Sequence, residues 1–320
     1  MIVRKEFSIP SSADGHAIYC CIWMEEGFQK YKGILQISHG MEEHILRYEG
    51  FASFLAQQGF LICGNDHAGH GQSVEKEEDS GFFGEEEDSW RFLLADMHGL
   101  MKFVKERFPS LPYFLLGHSM GSFLAREFAA EYGEELVGAI FMGTSGGNAF
   151  LDTGILLSEE GIRLKGVRGR GYSVHRLAFG AFNLKFMPKR TDYDWISSDP
   201  EVVDRFIEDE KCGNVFTYAG FRDLLRLLKE ISSLEWAQRM DKALPILLLS
   251  GEDDPVGDYG KGVEKVFSWL QEAGCEKVQR KIYAGGRHEL LNETFYYQVY
   301  RFILRWLYEV LEDRKSAEHP

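Results

Sequence analysis

Eight short apolar runs, each bounded by glycine or polar turn residues, punctuate the chain at 2–7, 17–23, 33–38, 60–64, 113–116, 137–142, 246–250 and 278–283. Runs of this length predict strands. The later ones are almost continuously apolar, as parallel strands covered on both faces must be. Positions with helical period fill the gaps at 47–58, 90–107, 120–132, 260–273 and 294–311. That alternation predicts an α/β fold, a doubly wound and mostly parallel eight-stranded sheet whose first strands form an antiparallel edge.

One gap breaks the rhythm. Between 142 and 246 lie about a hundred residues, far more than a crossover needs. They include an apolar stretch at 150–157, a glycine-rich basic piece at 166–171 and helical patterns at 200–210 and 219–231. The spacing predicts an inserted helical cap at 146–235 over the carboxyl edge of a core made of 1–145 and 236–320. The last residues, 313–320, read as a frayed tail.

Composition narrows the class. With 36 basic and 50 acidic residues the net charge is −14, which disfavours nucleic acid as a partner. The 34 glycines, against a usual share of about 7%, call for many tight turns. Five cysteines include no C-x-x-C pair, so neither a zinc site nor a redox motif is indicated. Arg4, Lys5 and Glu6 stand where a secretory segment would be apolar, and no run approaches membrane-spanning length. A cytoplasmic protein is expected, with peripheral membrane contact as an option.

Gly117-His118-Ser119-Met120-Gly121 follows one predicted strand and opens a predicted helix. A serine on so tight a turn is lifted above the sheet edge, beside a helix N-terminus that favours negative charge. A serine hydroxyl is a weak nucleophile, so it needs a base and an acid to orient that base. Both appear after later strands, in the order this architecture uses. Gly251-Glu252-Asp253-Asp254-Pro255 supplies the acid and Gly285-Gly286-Arg287-His288 the base. Asp253 and Asp254 compete for the orienting role; proline stiffens the backbone at Asp254 and favours it. An oxyanion needs two backbone N–H donors. Met120 is one candidate, and Met41, in the loop after the strand at 33–38, is the other. His39, His44, His67 and His70 read as braces of glycine-rich turns, with no metal and no organic cofactor implied. The acidic runs 75–79 and 85–88 read as solvated faces.

With these residues assembled, the chain resembles the α/β-hydrolase family of monoglyceride lipases and bacterial lysophospholipases, grouped with serine aminopeptidase-like hydrolases. The resemblance runs from His39-Gly40 through Asp66-His67-Ala68-Gly69-His70-Gly71-Gln72-Ser73 and Gly117–Gly121 to Asp254 and His288. It extends to Arg190-Thr191-Asp192-Tyr193-Asp194-Trp195 in the cap. In that family the acid stands three residues after a strand-ending glycine, as Asp254 stands to Gly251. The resemblance implies an α/β-hydrolase fold, a Ser119–His288–Asp254 triad and oxyanion donors at Met41 and Met120.

An apolar lid suits an acyl chain, and the cap offers Phe150, Ile155, Phe179 and Phe182 for substrate contact. Monoacylglycerol or lysophospholipid esters are the expected small-molecule substrates. A thioesterase, an acyltransferase or an aminopeptidase would use the same triad, the last with Asp192, Asp194 or Glu201 as anchor for a free amine. A binding module that has lost catalysis would not retain all three. Residues 161–190 carry eight cations and no acid. Arg163, Lys165, Arg168 and Arg170 are therefore candidates for contact with anionic lipid, or for pairing with acids of the body.

Overall fold

All eight apolar runs become strands of one sheet. The computed structural model describes residues 1–27 and 30–318. The strands are β1 (Ile2–Pro10), β2 (Ala17–Glu25), β3 (Gly33–Ser38), β4 (Phe60–Asn65), β5 (Tyr113–His118), β6 (Gly138–Met142), β7 (Ile246–Gly251) and β8 (Val278–Tyr283). They lie in the order β1-β2-β4-β3-β5-β6-β7-β8. β1 pairs antiparallel with β2, and β2 with β4; every other neighbour is parallel.

Alternating side chains of each strand feed opposite faces. Tyr113 and Leu115 join one apolar cluster with Leu93, Met97 and Leu100 of α2 (Trp90–Arg107) and Phe128 of α3 (Met120–Tyr132). Phe114 and Leu116 join the other, with Phe51 and Leu55 of α1 (Glu49–Gln57). Each such buried side chain contributes about 1.5–3 kcal/mol.

The long gap folds into α4 (Leu151–Lys165), α5 (Tyr172–Phe179), α6 (Pro200–Glu208), α7 (Tyr218–Glu230) and α8 (Leu234–Gln238). Local sequence starts two of them. Asp199 accepts from the Glu201 amide ahead of Pro200, and Thr217 accepts from the Gly220 amide. The chain then returns to the sheet through β7, α9 (Lys261–Glu272), β8 and α10 (Tyr296–Glu318). Helix α5 was not expected; it is only 8 residues long, too short to show a sustained helical period.

The C-terminal expectation needs correcting. Helix α10 runs through Glu318, and Ser316 Oγ donates to the Glu312 carbonyl at 3.0 Å. Residues 313–316 are exposed, so helix propensity rather than burial carries them. His319 and Pro320 lie outside the described residues.

The basic stretch is largely paired. Arg168 bridges Asp79 (2.8 Å) and Glu85 (3.1 Å), so one acid of each acidic run pairs with this arginine of the cap, while Glu75, Glu77, Glu78, Glu86 and Glu87 stay exposed as solvated faces do. Arg170 donates to the carbonyls of Glu77, Ser80 and Val215. Arg163 pairs with Glu160, Lys185 with Asp253, Lys189 with Asp192 and Arg190 with Asp204. Lys165 stands 5.9 Å from the Tyr218 ring centre.

Candidate active site

Ser119 joins β5 to α3 with φ 53° and ψ −123°, a conformation that a side-chain-bearing residue holds only under compulsion. Its neighbours supply the room. A Cβ on Gly121 would lie 2.1 Å from the Ser38 carbonyl oxygen, and one on Gly117 would lie 2.1 Å from the Gly121 oxygen. Their absence lets the start of α3 press against the end of β3. The Met120 amide opens that helix and has no carbonyl one turn earlier to bond. Met41 follows Gly40 in the loop after β3, so both proposed donors flank the serine.

The competing acids separate. Asp254 is fully buried; its Oδ1 accepts from His288 Nδ1 at 2.9 Å and from the Val256 amide at 2.9 Å. With Nδ1 holding the proton for that bond, Nε2 of His288 is the basic nitrogen. Asp253 pairs instead with Lys185, and Glu252 accepts from the Gly285 amide at 3.2 Å. The His288 ring is held between His118 (4.6 Å between centres) and Trp195 of the cap (5.1 Å).

Beneath these groups runs an ionic network that sequence reading did not single out. Glu43 accepts from the Gly40 amide (2.6 Å), Tyr48 Oη (2.7 Å), Arg47 (2.8 Å) and His118 Nδ1 (3.2 Å). Arg47 then grips Glu289 with two bonds of 2.6 and 2.8 Å. Burial alone would raise the Glu43 carboxyl, but His118 and Arg47 hold it well below its ordinary range. Burial likewise opposes a charge on His118, yet Glu43 raises its pKa. One network thus ties the loop after β3 to the residue before the serine and to the residue after His288. The i,i+4 pair Glu43–Arg47 was its only local signal.

His39, His67 and His70 brace turns, as expected, whereas His44 bonds Asp209 of the cap. His39 Nε2 accepts from the His67 amide at 3.0 Å, and His67 Nε2 bonds Ser38 Oγ at 2.9 Å. Burial pushes His39 down to about 4, His70 to about 3, and His67 well below its ordinary value. Among the described residues, the donor atoms of His44, Asp209 and Cys212 lie within 4.8 Å of one another, the one grouping of metal-ligating types. His44 Nε2 is already bonded to Asp209 at 2.9 Å, and none of the three lines the site's cavity.

Ser119, His288, Met41 and Met120 line a cavity of about 320 Å³ roofed by α4, α5 and α7. Phe150, Phe179 and Phe182 line it as expected from sequence, with Leu151, Gly154, Val174, Leu224 and Leu228. Ile155 does not. The inward face of α4 carries Leu151, Gly154, Ser158 and Gly161, and Ile155 lies about 100° around the helix from Gly154. The three acids considered as amine anchors are also outside. Asp194 accepts from the Arg190 and Thr191 amides, while Asp192 and Glu201 are exposed. The acids that do line the cavity are Glu42, Glu43 and Glu289.

Comparison with known proteins agrees with this architecture. Residues 29–295 match the serine aminopeptidase, S33, family of hydrolases. Human monoglyceride lipase is 26% identical over 298 residues, covering 88% of this chain and 83% of that protein. A monoacylglycerol lipase of Mycolicibacterium smegmatis is 25% identical, over 86% of this chain and 88% of its own length. Among solved structures, a thermostable carboxyl esterase from Bacillus coagulans, in complex with glycerol, superposes with a TM-score of 0.90 at 30% identity. That match covers 97% of this chain and 99% of the esterase. The chain is a member of the serine aminopeptidase, S33, family and has the α/β-hydrolase fold.

Proposed function

We propose that the protein is a serine carboxylic-ester hydrolase of the monoacylglycerol lipase and lysophospholipase type. The observation that carries this reading is an apolar-walled cavity lined by both Ser119 and His288, with the buried Asp254 bonded to His288 behind its wall. Ser119 Oγ attacks the ester carbonyl while His288 Nε2 takes its proton, and Asp254 holds the imidazole tautomer. The Met41 and Met120 amides receive the oxyanion, each worth about 3 kcal/mol of barrier. His288 then protonates the leaving alcohol, and afterwards activates the water that releases the acyl group.

The inserted segment, taken as 146–235, supplies the walls for the acyl chain through Phe150, Phe179 and Phe182. The names of the relatives, lipases and an esterase, support ester over amide or thioester substrates. A fluorophosphonate probe tests the nucleophile: wild type is labelled and Ser119→Ala is not, with hydrolysis of p-nitrophenyl esters falling by several decades. Labelling that persists in Ser119→Ala refutes the assignment.

Membrane contact through Arg163, Lys165, Arg168 and Arg170 is proposed only as an accessory feature. Its support is the exposed Leu156, Leu164 and Leu184 on the same segment; the pairing of Arg168 and Arg170 with the body weighs against it. Among the described residues no helix is long and apolar enough to cross a membrane.

A further inference from the structure

Both ring nitrogens of His118 face acceptors. Nδ1 stands 3.2 Å from Oε1 of Glu43, and Nε2 stands 3.3 Å from the carbonyl oxygen of His288. A neutral imidazole carries one N–H and one bare lone pair. In either neutral tautomer, one of these contacts would set a lone pair against an oxygen. Only the imidazolium, with a hydrogen on each nitrogen, donates to both.

The charges around the ring point the same way. Glu43 and Glu289 are buried carboxylates, and Arg47 is the one guanidinium that bridges them. With His118 charged, these four groups sum to zero. With His118 neutral, one buried carboxylate is left without a countercharge, which is costly. The remaining neighbours are uncharged: Tyr48 donates its hydroxyl to Glu43, and burial keeps His39 neutral by lowering it to about 4. Burial also works against a charge on His118, but Glu43 outweighs it.

The position of that charge gives it a consequence. The His118 and His288 ring centres are 4.6 Å apart. Gly143 lies against both rings, where a Cβ would come 3.0 Å from His288 and 3.3 Å from His118. Asp254, bonded to Nδ1, favours a charge on His288, whereas a second imidazolium beside it disfavours one. Trp195, the other ring packed on His288, brings no charge. Resting on the reading of His288 as the general base of an ester hydrolase, we propose that His118 is a positioning residue, held as an imidazolium by Glu43, that opposes protonation of His288 and so extends activity into mildly acidic pH.

The first test is the pH profile of kcat/KM for p-nitrophenyl butyrate between pH 5 and 9. In His118→Gln, which keeps a donor for Glu43 but has no charge, the acid limb should move up by about one pH unit. Activity at pH 5, relative to the alkaline plateau, should then fall about tenfold further than in wild type. The midpoint of the limb is the reading, since a packing defect lowers the plateau without moving it. A limb that stays in place, or moves to lower pH, overturns the proposal.

The second test reads the charge directly. In wild type carrying 15N-labelled histidine, both His118 nitrogens should resonate as protonated at pH 7, the signals being assigned by their loss in His118→Gln or by through-bond correlation to the His118 amide. A neutral tautomer there refutes the assignment. In Glu43→Gln the same signals should become those of a neutral ring, and signals unchanged from wild type overturn the role given to Glu43. Wild type that cleaves no ester would end the esterase reading, while the nitrogen resonances still decide whether His118 is charged.

Discussion

Gly121→Ala is the smallest change expected to damage the site without touching a reacting group. The added Cβ would lie 2.1 Å from the Ser38 carbonyl oxygen and 2.4 Å from that of His39. Ordinary van der Waals contact needs about 3.4 Å, so α3 and the end of β3 must part by about 1 Å. Both obstacles are backbone, and Ser38 is locked into the sheet opposite Gly117. No side-chain rotation relieves the clash. Overpacking of this kind costs about 1–3 kcal/mol. The same displacement moves the Met120 amide and Ser119 away from the Met41 loop, and a misplacement of about 1 Å costs about 100-fold in rate. Gly99→Ala is the control. Gly99 lies in the middle of α2, where its added Cβ would meet only Ile9 Cδ1 at 3.7 Å. Alanine there should stabilise by about 1 kcal/mol through helix propensity. Urea denaturation and p-nitrophenyl butyrate hydrolysis, measured on both variants, decide the matter. Wild-type stability and kcat/KM in Gly121→Ala would show that the elbow is not tightly packed against β3, and the reasoning would fail.

The two neighbouring acids should separate in kinetics. Asp254→Asn should lower kcat about 10⁴-fold by favouring the wrong His288 tautomer, while Asp253→Asn loses a partly exposed ion pair and should stay within about threefold; the reverse order would move the orienting role to Asp253. Acid should destabilise the fold through its buried histidines. His39, His67 and His70 are neutral in the native state with pKa values below the ordinary 6.5, so the unfolded chain binds more protons below that pH. Their stabilisation is complete above about pH 7.5 and fades as pH falls through 6.5 towards 4, by roughly 2 kcal/mol each for His39 and His70 at pH 5 and in the same direction for His67, with His118, raised in the native state, offsetting part. A urea midpoint that does not fall between pH 7.5 and pH 5 contradicts this.

The tight strand-to-helix turn at Ser119 was legible because it is local. Strand, glycine, serine and helix are contiguous at 113–132, and the forbidden Cβ positions at Gly117 and Gly121 follow from that geometry. The meeting of Asp254 and His288 was legible by a different route. In a parallel sheet every strand delivers its following loop to the same edge, so the loops after β5, β7 and β8 must meet, however far apart they lie in the chain. The stiffening of Asp254 by Pro255 was also local; it favoured that residue over Asp253, and the family spacing from Gly251 reinforced the preference.

Pairings between distant segments were not legible. Arg168 meets Asp79 across 89 residues and Arg47 meets Glu289 across 242. Nothing in either segment's pattern distinguishes these charges from solvated ones. The inward face of α4 is set by its docking against α7, which selects Leu151 and Gly154 over Ile155. Glu42 is the sharpest case. In sequence it is one glutamate beside another, His39-Gly40-Met41-Glu42-Glu43-His44. Folding gives Glu43 four donors but sets Glu42 against His175, because a one-residue step through a left-handed turn sends the two side chains into different surroundings. Period and local turn chemistry are properties of contiguous residues. Which polar groups end up satisfied depends on what the rest of the chain brings to them, and only the assembled structure decides that.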